Sequence, residues 1–480
     1  MFGYKLQREV LQYVTPDDGK IKLQERQEPM KILNDLRLKL EKPNWALDPE
    51  LALIDTILNK NPRLYEIIAP DVMDLNKSSE LGRQDSPTVE QVVRAALYKE
   101  LKKLDYRELE YAQGDSRLCG AFMKLEGRSP FSFEVFHKYI SRIRGESLRA
   151  LMVEINRIMI QEEGIEDGKS LRTDSTVVET DIHYPMNNSL IWDCIKTSHR
   201  LLKKLEETGK IKKVRNYQKQ GKKNEFKINN TKKKEKRAEL FRKQLKLFRC
   251  SINQVSKVVE GVMMGIDLGV ISIVAELKGL LPKMEKVYDI SYRHEVLGES
   301  VPNSEKIFSI YEEHTDIIVK GSREVAFGHK VNLATGRSNL ILDCEITDGN
   351  PKDSNLYAGV LERVRSGYGV RPRDMVTDGA YASLRNQEKA KEYGIVNIVF
   401  NKIVGSLKNV VSSIQMETRL KKWRSGMEAV ISNLKRGFHL FRCEWKGRDH
   451  FDAKVLWSVI AYNIRVMTGF MLGKLMPQPQ

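Results

Sequence analysis

Three acidic residues occupy positions where carboxylates can do chemistry. Asp378 ends a short β-branched strand (MVTDGAYAS) before a glycine turn, and α/β sheets place reactive groups at the carboxyl ends of parallel strands. Asp174 lies in an earlier strand (SLRTDST), where Thr173 and Ser175 are too small and polar to fill a core. Glu428 belongs to a helical segment, KKWRSGMEAVISNLKRGF. These three acids are therefore the candidates to carry chemistry.

The helical segment concentrates charge on one side. At about 100° per residue, four charged side chains fall within about 60° of arc: Lys421, Arg424, Glu428 and Lys435. An apolar face beside this stripe predicts that the helix packs on a core. Taken alone, Arg424 and Glu428 are best interpreted as an ordinary ion pair one helical turn apart.

Histidine and cysteine are poorly placed to bind a metal. The five cysteines contain no CxxC pair, and the eight histidines contain no HExxH or HxxxH pair. Any metal is therefore expected to be held by carboxylates.

The positive charge of the chain is strong and local. The formal net charge is +17, and the segment Leu201–Cys250 holds 19 Lys and Arg against 5 Glu, a net of +14. Such a balance favours a polyanionic partner, with nucleic acid first and an anionic membrane surface second. The apolar stretch 455–475 is interrupted by Asn463 and Arg465, and the N-terminus lacks the apolar core of a signal peptide. We expect a cytoplasmic protein without a membrane partner.

A heptad pattern begins within the basic segment, at Phe241. Thr231 is a candidate N-cap, and a looser apolar pattern upstream predicts a second, antiparallel helix. The result would be a helical arm whose basic tip is Gly209–Asn230. Dimerisation through the heptad residues is an open alternative, and the basic run can also be a solvated face. The residues of this heptad seam are Phe241, Leu245, Phe248, Ile252, Val255, Val259, Val262 and Ile266.

The remaining chain divides into a helical part and a mixed α/β part. Residues 1 to about 165 are predicted to be helical, with capping boxes at Thr88 and Asp105; they form either a helix-turn-helix-like module or an all-helical packing domain. After Gly168, five β-branched segments alternate later with helices, which indicates a mixed sheet with helices on its faces. The predicted strands are 171–178, 325–333, 340–346, 375–377 and 395–400.

Several of these motifs, in this order, resemble a known family. The spacing Arg424, Glu428, Lys435 resembles the R-x3-E-x6-K signature of DDE transposases from bacterial insertion sequences, near the ISNCY group. TDGAYAS and LRTDSTVVETDIHYP resemble the segments that carry the second and first aspartates of that family. FGHKVNLATG, EITDGNPKDSN and the N-terminal GRQDSPTVEQVVRAALYKELKKLDYRELE are also similar to family segments.

The resemblance implies an architecture. It is an α/β RNase H-like mixed-sheet catalytic core, with an N-terminal all-helical domain and a long helical insertion after the first strand. The implied divisions are residues 1–165 as a helical, DNA-binding domain, 166–186 as the first strand, 187–320 as a basic insertion arm, and 321–480 as the remaining core with C-terminal helices.

The resemblance also implies a function and a site. The function is transposition, in which the protein binds transposon ends and target duplex DNA as a homodimer in the bacterial cytoplasm, associated with the nucleoid. Asp174, Asp378 and Glu428 would be catalytic and hold two Mg²⁺, for which Mn²⁺ can substitute. The implied DNA contacts are Arg424, Lys435, Lys421 and Trp423. A catalytically inactive, transposase-derived repressor is the alternative.

Two positions depart from the family pattern. Lys421 stands where relatives carry a tyrosine, and Trp423 is the nearest aromatic residue. Asn187, in HYPMNNS, stands where relatives often carry an acid. The first departure concerns base stacking at the cleavage site, and the second concerns a contact outside the three carboxylates.

Overall fold

The computed structural model describes residues 10–14, 21–25, 45–73, 86–125, 128–262, 267–320, 324–403 and 405–475. The helices within these ranges are α1 (Pro49–Lys60), α2 (Arg63–Met73), α3 (Val89–Lys102), α4 (Tyr106–Asp115), α5 (Arg117–Phe122), α6 (Phe133–Ile140), α7 (Gly145–Arg157), α8 (Asn187–Glu207), α9 (Gln218–Asn229), α10 (Lys234–Gly261), α11 (Leu268–Tyr292), α12 (Asp353–Tyr368), α13 (Leu384–Glu392), α14 (Ile414–Gly437) and α15 (Arg448–Leu475). The strands are β1 (Val10–Val14), β2 (Ile21–Glu25), β3 (Ser170–Thr180), β4 (Asp316–Lys320), β5 (Glu324–Thr335), β6 (Ile341–Ile346), β7 (Asp374–Asp378), β8 (Asn397–Asn401) and β9 (Arg442–Cys443).

Seven of these strands form one mixed sheet, and β1 pairs with β2 in a separate antiparallel hairpin. The order across the sheet is β4-β5-β3-β7-β8, while β6 pairs with β5 and β9 pairs with β3. Strands β3, β7 and β8 run parallel, whereas β5 is antiparallel to β3, β4 and β6. A mixed sheet with this order is compatible with an RNase H-like core.

The parallel strands are apolar because both faces of the sheet are covered. Val376 of β7 and Val399 of β8 form a cluster with Leu420 of α14. Their neighbours Met375 and Ile398 belong instead to the large core on the opposite face. Since successive residues of a strand point to opposite faces, continuous apolar runs are expected where helices lie on both sides.

The N-terminal helices begin as their capping residues predict. The Thr88 hydroxyl accepts from the Gln91 amide, and Asp105 accepts from the Glu108 amide, so both predicted capping boxes are confirmed. Helices α1, α3 and α7 pack against α15, and one hydrophobic core joins them to the sheet. The segment Arg448–Gly473 is long and apolar enough to cross a membrane, but 67% of its most apolar window is buried inside the protein. That burial is typical of a core helix.

The insertion folds into its own helical bundle. Helix α8 packs against α9, α10 and α11, and α10 also packs against α9 and α11. The apolar side chains of these helices form a cluster separate from the main core. The first five residues of the heptad seam are buried in that cluster: Phe241, Leu245, Phe248, Ile252 and Val255.

Several predictions about these elements were wrong. The main sheet contains seven strands instead of five, because β9 has only two residues and β4 was assigned to the helical insertion. The N-terminal part is not all helical, since β1 and β2 lie within it. The described residues of the predicted insertion, 187–320, contain the four α-helices α8 to α11 instead of a two-helix hairpin. Thr231 does not cap α10; its hydroxyl donates to the Lys227 carbonyl at the end of α9. Ile266 of the heptad seam lies outside the described residues.

Candidate active site

Asp174 and Asp378 lie at the same level on neighbouring strands. The parallel register of β3 and β7 pairs Thr173 with Thr377, so the next residue of each strand is an aspartate. Adjacent strands are about 4.8 Å apart, and equivalent positions point to the same face. The two carboxylates therefore share one face of the sheet, at the level where β7 ends. The exposed fractions of their side chains are 19% for Asp174 and 39% for Asp378.

Helix α14 crosses that face and supplies the third carboxylate. The helix begins after Ser413, whose hydroxyl accepts from the Met416 amide. Its buried residues include Met427, Val430 and Leu434, which confirms the predicted apolar face. Anchoring by these residues holds the charged stripe of the helix beside the strand ends.

Arg424 connects the three acids. Its Nη2 lies 2.7 Å from Asp174 Oδ2 and 3.8 Å from Asp378 Oδ1, and its Nη1 lies 4.0 Å from Glu428 Oε1. The Arg424 side chain is 10% exposed, whereas that of Glu428 is 76% exposed. Carboxylates from β3, β7 and α14 thus surround one guanidinium group. The simple pair between Arg424 and Glu428 is present, but it is the longest of these three contacts.

The turn after Asp378 depends on a glycine. A Cβ atom at Gly379 would lie 2.5 Å from the Lys402 carbonyl oxygen and 2.7 Å from that of Asn401. These atoms belong to the backbone at the end of β8 and cannot move without disturbing the strand. Gly379 therefore permits the close approach that places Asp378 at the strand end.

A buried polar network supports the same turn. The hydroxyl of Tyr381 donates to Asn332 Oδ1 at 2.6 Å, and the hydroxyl of Thr173 lies 3.2 Å from the same oxygen. Burial raises the pKa of Tyr381 well above its ordinary value, so this phenol stays protonated and can donate. Tyr381 and Asn332 were not among the residues predicted from the sequence. The tyrosine of the TDGAYAS motif was the available signal.

Two other predicted DNA contacts, Lys435 and Lys421, have partners elsewhere on the protein. Lys435 is two turns beyond Glu428, with its Nζ 5.6 Å from the Phe441 ring centroid. The ammonium of Lys421 is 2.7 Å from Glu417 Oε1, one turn earlier on α14. Among the residues of the predicted stripe, Arg424 contacts both strand aspartates, and Glu428 contacts Arg424.

Trp423 packs against the sheet. Its ring is partly buried against the Val376, Val399 and Leu420 cluster, and the Arg172 guanidinium lies 4.8 Å from the ring centroid. One face of the indole is therefore covered by a side chain of the same protein. The side chain is only partly buried, so base stacking by Trp423 stays a prediction.

The substitution at position 187 has a local partner. Asn187 Nδ2 donates to Glu295 Oε1 at 3.0 Å and lies 3.2 Å from His294 Nδ1. An acid at this position would face the Glu295 carboxylate. The asparagine is thus matched to its surroundings at the start of α8.

The three acids fit a divalent cation in donor type. Carboxylate oxygens suit Mg²⁺ and Mn²⁺, and two of the side chains are solvent accessible. Over the residues that the structure describes, no three acidic, His or Cys side chains are close enough to enclose an ion. The guanidinium of Arg424 already provides positive charge between them.

Comparison with known proteins finds one similarity, in the C-terminal part of the chain. Residues 320–464 match a family model described as the transposase DDE domain. The match confirms the resemblance to insertion-sequence DDE transposases and supports a transposase function of the nucleotidyl-transferase type. DDE transposases generally use divalent metal ions and act on DNA. No curated protein and no solved structure matches the chain.

The matched region includes only part of the candidate site. Asp378, Arg424, Glu428 and Lys435 lie within it, whereas Asp174 precedes it. The connection to Asp174 comes from the register of β3 with β7 and from the contact with Arg424.

Proposed function

We propose that this protein binds the ends of an insertion sequence and catalyses metal-dependent DNA cleavage and strand transfer. The convergence of Asp174, Asp378 and Glu428 on Arg424 supports this most strongly, because these acids come from three separate elements. The motifs favour a place near the ISNCY group. The helices before residue 165 are proposed to bind DNA.

The three carboxylates are the proposed ligands of two Mg²⁺ ions. Such a pair of ions, when bound, activates the attacking oxygen and stabilises the leaving oxygen of an in-line displacement. In the metal-free protein, Arg424 neutralises part of the carboxylate charge. With DNA present, its planar guanidinium can turn to a phosphate and bind it through two parallel hydrogen bonds. Lys435 would contact a second phosphate as a point charge.

The basic insertion is proposed to hold duplex DNA near the site. Every Lys and Arg from Leu201 to Cys250 is exposed except Arg237 and Arg249, which are partly buried. Lysines that bind DNA phosphates release counterions from the DNA, and the affinity for DNA therefore falls as the salt concentration rises. We further propose that the protein acts as a homodimer on DNA, in the bacterial cytoplasm and associated with the nucleoid.

Substitution of the three acids tests the proposed chemistry. Asp174→Asn, Asp378→Asn and Glu428→Gln should each abolish Mg²⁺-dependent cleavage of duplexes that carry the DNA flanking the gene, because each removes a ligand without changing shape. DNA affinity, measured by fluorescence anisotropy, should stay nearly unchanged. Glu417→Gln, on the same helix but paired with Lys421, is the matched control and should cleave normally.

The same assay distinguishes an active transposase from the alternative, a catalytically inactive repressor. A protein that binds these duplexes but never cleaves them, with either Mg²⁺ or Mn²⁺, would be a transposase-derived repressor. Robust cleavage by any one of the three acid variants would remove that residue from the site.

A further inference from the structure

Arg172 is a buried guanidinium in the middle of the sheet. It lies on β3 two residues before Asp174, so both side chains point to the face that α14 covers. Its residue exposure is 1%, and no acid within the described ranges forms an ion pair with it. Burial lowers the pKa of Arg172, as expected for a cation taken out of water.

The Arg172 guanidinium donates hydrogen bonds to neutral oxygen atoms in three parts of the fold. Its Nε donates to the Thr335 hydroxyl of β5 at 2.9 Å, and its Nη2 donates to Asn339 Oδ1 beyond that strand. Its Nη1 donates to the backbone carbonyl of Trp423 on α14, and the guanidinium also lies over the Trp423 ring. Trp423 immediately precedes Arg424, and therefore Arg172 contacts α14 one residue before the arginine that joins the three acids.

Helix α14 has a glycine, Gly426, where the Arg172 guanidinium approaches it. Gly426 faces Arg172, and a Cβ atom there would lie 2.5 Å from Arg172 Nη1. Glycine in a helix interior is less favourable than alanine by about 1 kcal/mol. A glycine at this position is explained by the approach of the guanidinium.

We propose that Arg172 is a positioning residue that fixes α14 against β3, and thereby fixes Glu428 and Arg424 relative to Asp174, with Gly426 providing the space it needs. This inference rests on the proposed function. A buried cation without an acidic partner is a poor source of stability, because its desolvation is not offset by an opposite charge. Its contacts, which join the strand of one candidate ligand to the helix of another, point to a role in geometry.

The first test compares metal binding with folding. Arg172→Met removes the charge but keeps a long apolar side chain beside Trp423. The carbonyl of Trp423 keeps its own helical hydrogen bond, and Asn339 is exposed to water, so few groups are left unpaired. We expect Arg172→Met to fold with a melting temperature close to that of the parent. Its affinity for Mn²⁺, measured by electron paramagnetic resonance of free Mn²⁺, should fall at least tenfold, and kcat should fall more than KM changes.

Arg172→Lys is the conservative comparison. It restores the charge but cannot make three directed contacts at once, and it should recover little of the Mn²⁺ affinity. Full recovery by lysine, or unchanged Mn²⁺ binding in Arg172→Met, would overturn the positioning role. Failure of the wild-type protein to bind Mn²⁺ at all would instead count against the proposed function.

The second test uses the coupling between positions 172 and 426. In the wild type, Gly426→Ala should lower the melting temperature because the new methyl group meets the guanidinium. In the Arg172→Met background, the same substitution should raise it, since alanine is the better helix former. Gly437→Ala is the control, because nothing lies within 4 Å of a Cβ atom added at this position of the same helix. It should change the melting temperature by the same amount in both backgrounds. An equal effect of Gly426→Ala in both backgrounds would show that the two residues are not coupled.

Discussion

At the scale of single residues, the candidate site is organised around a cation that belongs to the protein. Three carboxylates close together repel one another, and a positive group between them lowers that repulsion. Arg424 is 2.7 Å from Asp174 and nearly buried, so its attraction is screened by water less than that of a surface pair. A divalent ion bound by the same acids would have to compete with this guanidinium.

Arg424→Gln should therefore increase metal affinity while weakening the metal-free fold. We expect Mn²⁺ to bind about tenfold more tightly, which corresponds to about 1.4 kcal/mol. The melting temperature without metal should fall, and the increase on adding Mn²⁺ should be larger than in the wild type. Differential scanning fluorimetry with a Mn²⁺ titration measures both effects.

The matched control for this prediction is Lys422→Gln, which removes an exposed cation from the same helix. It should bind Mn²⁺ as the wild type does. If Arg424→Gln also binds Mn²⁺ with unchanged affinity, the guanidinium does not compete for the carboxylates.

At the level of secondary structure, helix faces and helix caps could be predicted from the sequence. Short strands that form only by pairing with another strand could not. The apolar face of α14 and the capping boxes at Thr88 and Asp105 follow local rules, and they were predicted correctly. Strand β9 has two residues and exists because it pairs with the end of β3. No local pattern marks such a strand.

In the candidate site, too, residues marked by local patterns could be predicted and residues that depend on long-range contacts could not. Asp378 could be selected from its strand-end position, and Arg424 and Glu428 from their spacing. The roles of Arg172 and Gly426 could not be predicted, because the contact between them spans more than 250 positions of chain and depends on how α14 crosses the sheet. Asn332 and Tyr381 are likewise distant in sequence and adjacent only in the fold.

Because Trp423 packs between α14 and the sheet, we expect its substitution to affect stability. Its indole fills the space between the helix and strands β7 and β8, so Trp423→Ala should lower the free energy of unfolding by about 3 kcal/mol. Lys421→Ala, two residues earlier on the helix, removes a partly exposed ion pair and should change that free energy by about 0.5 kcal/mol or less. Urea unfolding of both variants measures the difference. A stable Trp423→Ala variant that selectively loses cleavage would favour base stacking instead.

At the scale of the whole molecule, the basic charge is carried by a folded bundle. The segment Gly209–Asn230 is not a free tip: Gly221, Asn224 and Ile228 of α9 are buried. Deleting this segment would therefore expose the interior of the bundle. Charge substitutions on exposed lysines separate DNA binding from folding more cleanly than a deletion does.

Lys212→Gln combined with Lys213→Gln tests the DNA-binding role of the bundle. Both lysines are exposed in the connection between α8 and α9. If each contacts a phosphate, the slope of log affinity against log salt should decrease by about 1.8. Fluorescence anisotropy over a series of KCl concentrations measures this slope. The pair Lys352→Gln and Lys391→Gln, exposed elsewhere on the protein, is the control. Equal slopes for the two double variants would mean that the basic run is a solvated face.

The heptad seam bears on how the whole molecule associates. Phe248 is fully buried within the bundle, with its ring centroid 6.3 Å from that of Tyr288 on α11. Phe248→Ala should therefore destabilise the bundle by about 3–5 kcal/mol, whereas Lys246→Ala, exposed on the same helix, should have little effect. Because the partners of the seam are intramolecular, the melting temperature of the DNA-free protein should not depend on protein concentration. Thermal unfolding at two concentrations a hundredfold apart, with sedimentation velocity, measures this. A wild-type melting temperature that rises with concentration, and ceases to do so in Phe248→Ala, would identify the seam as a dimer interface.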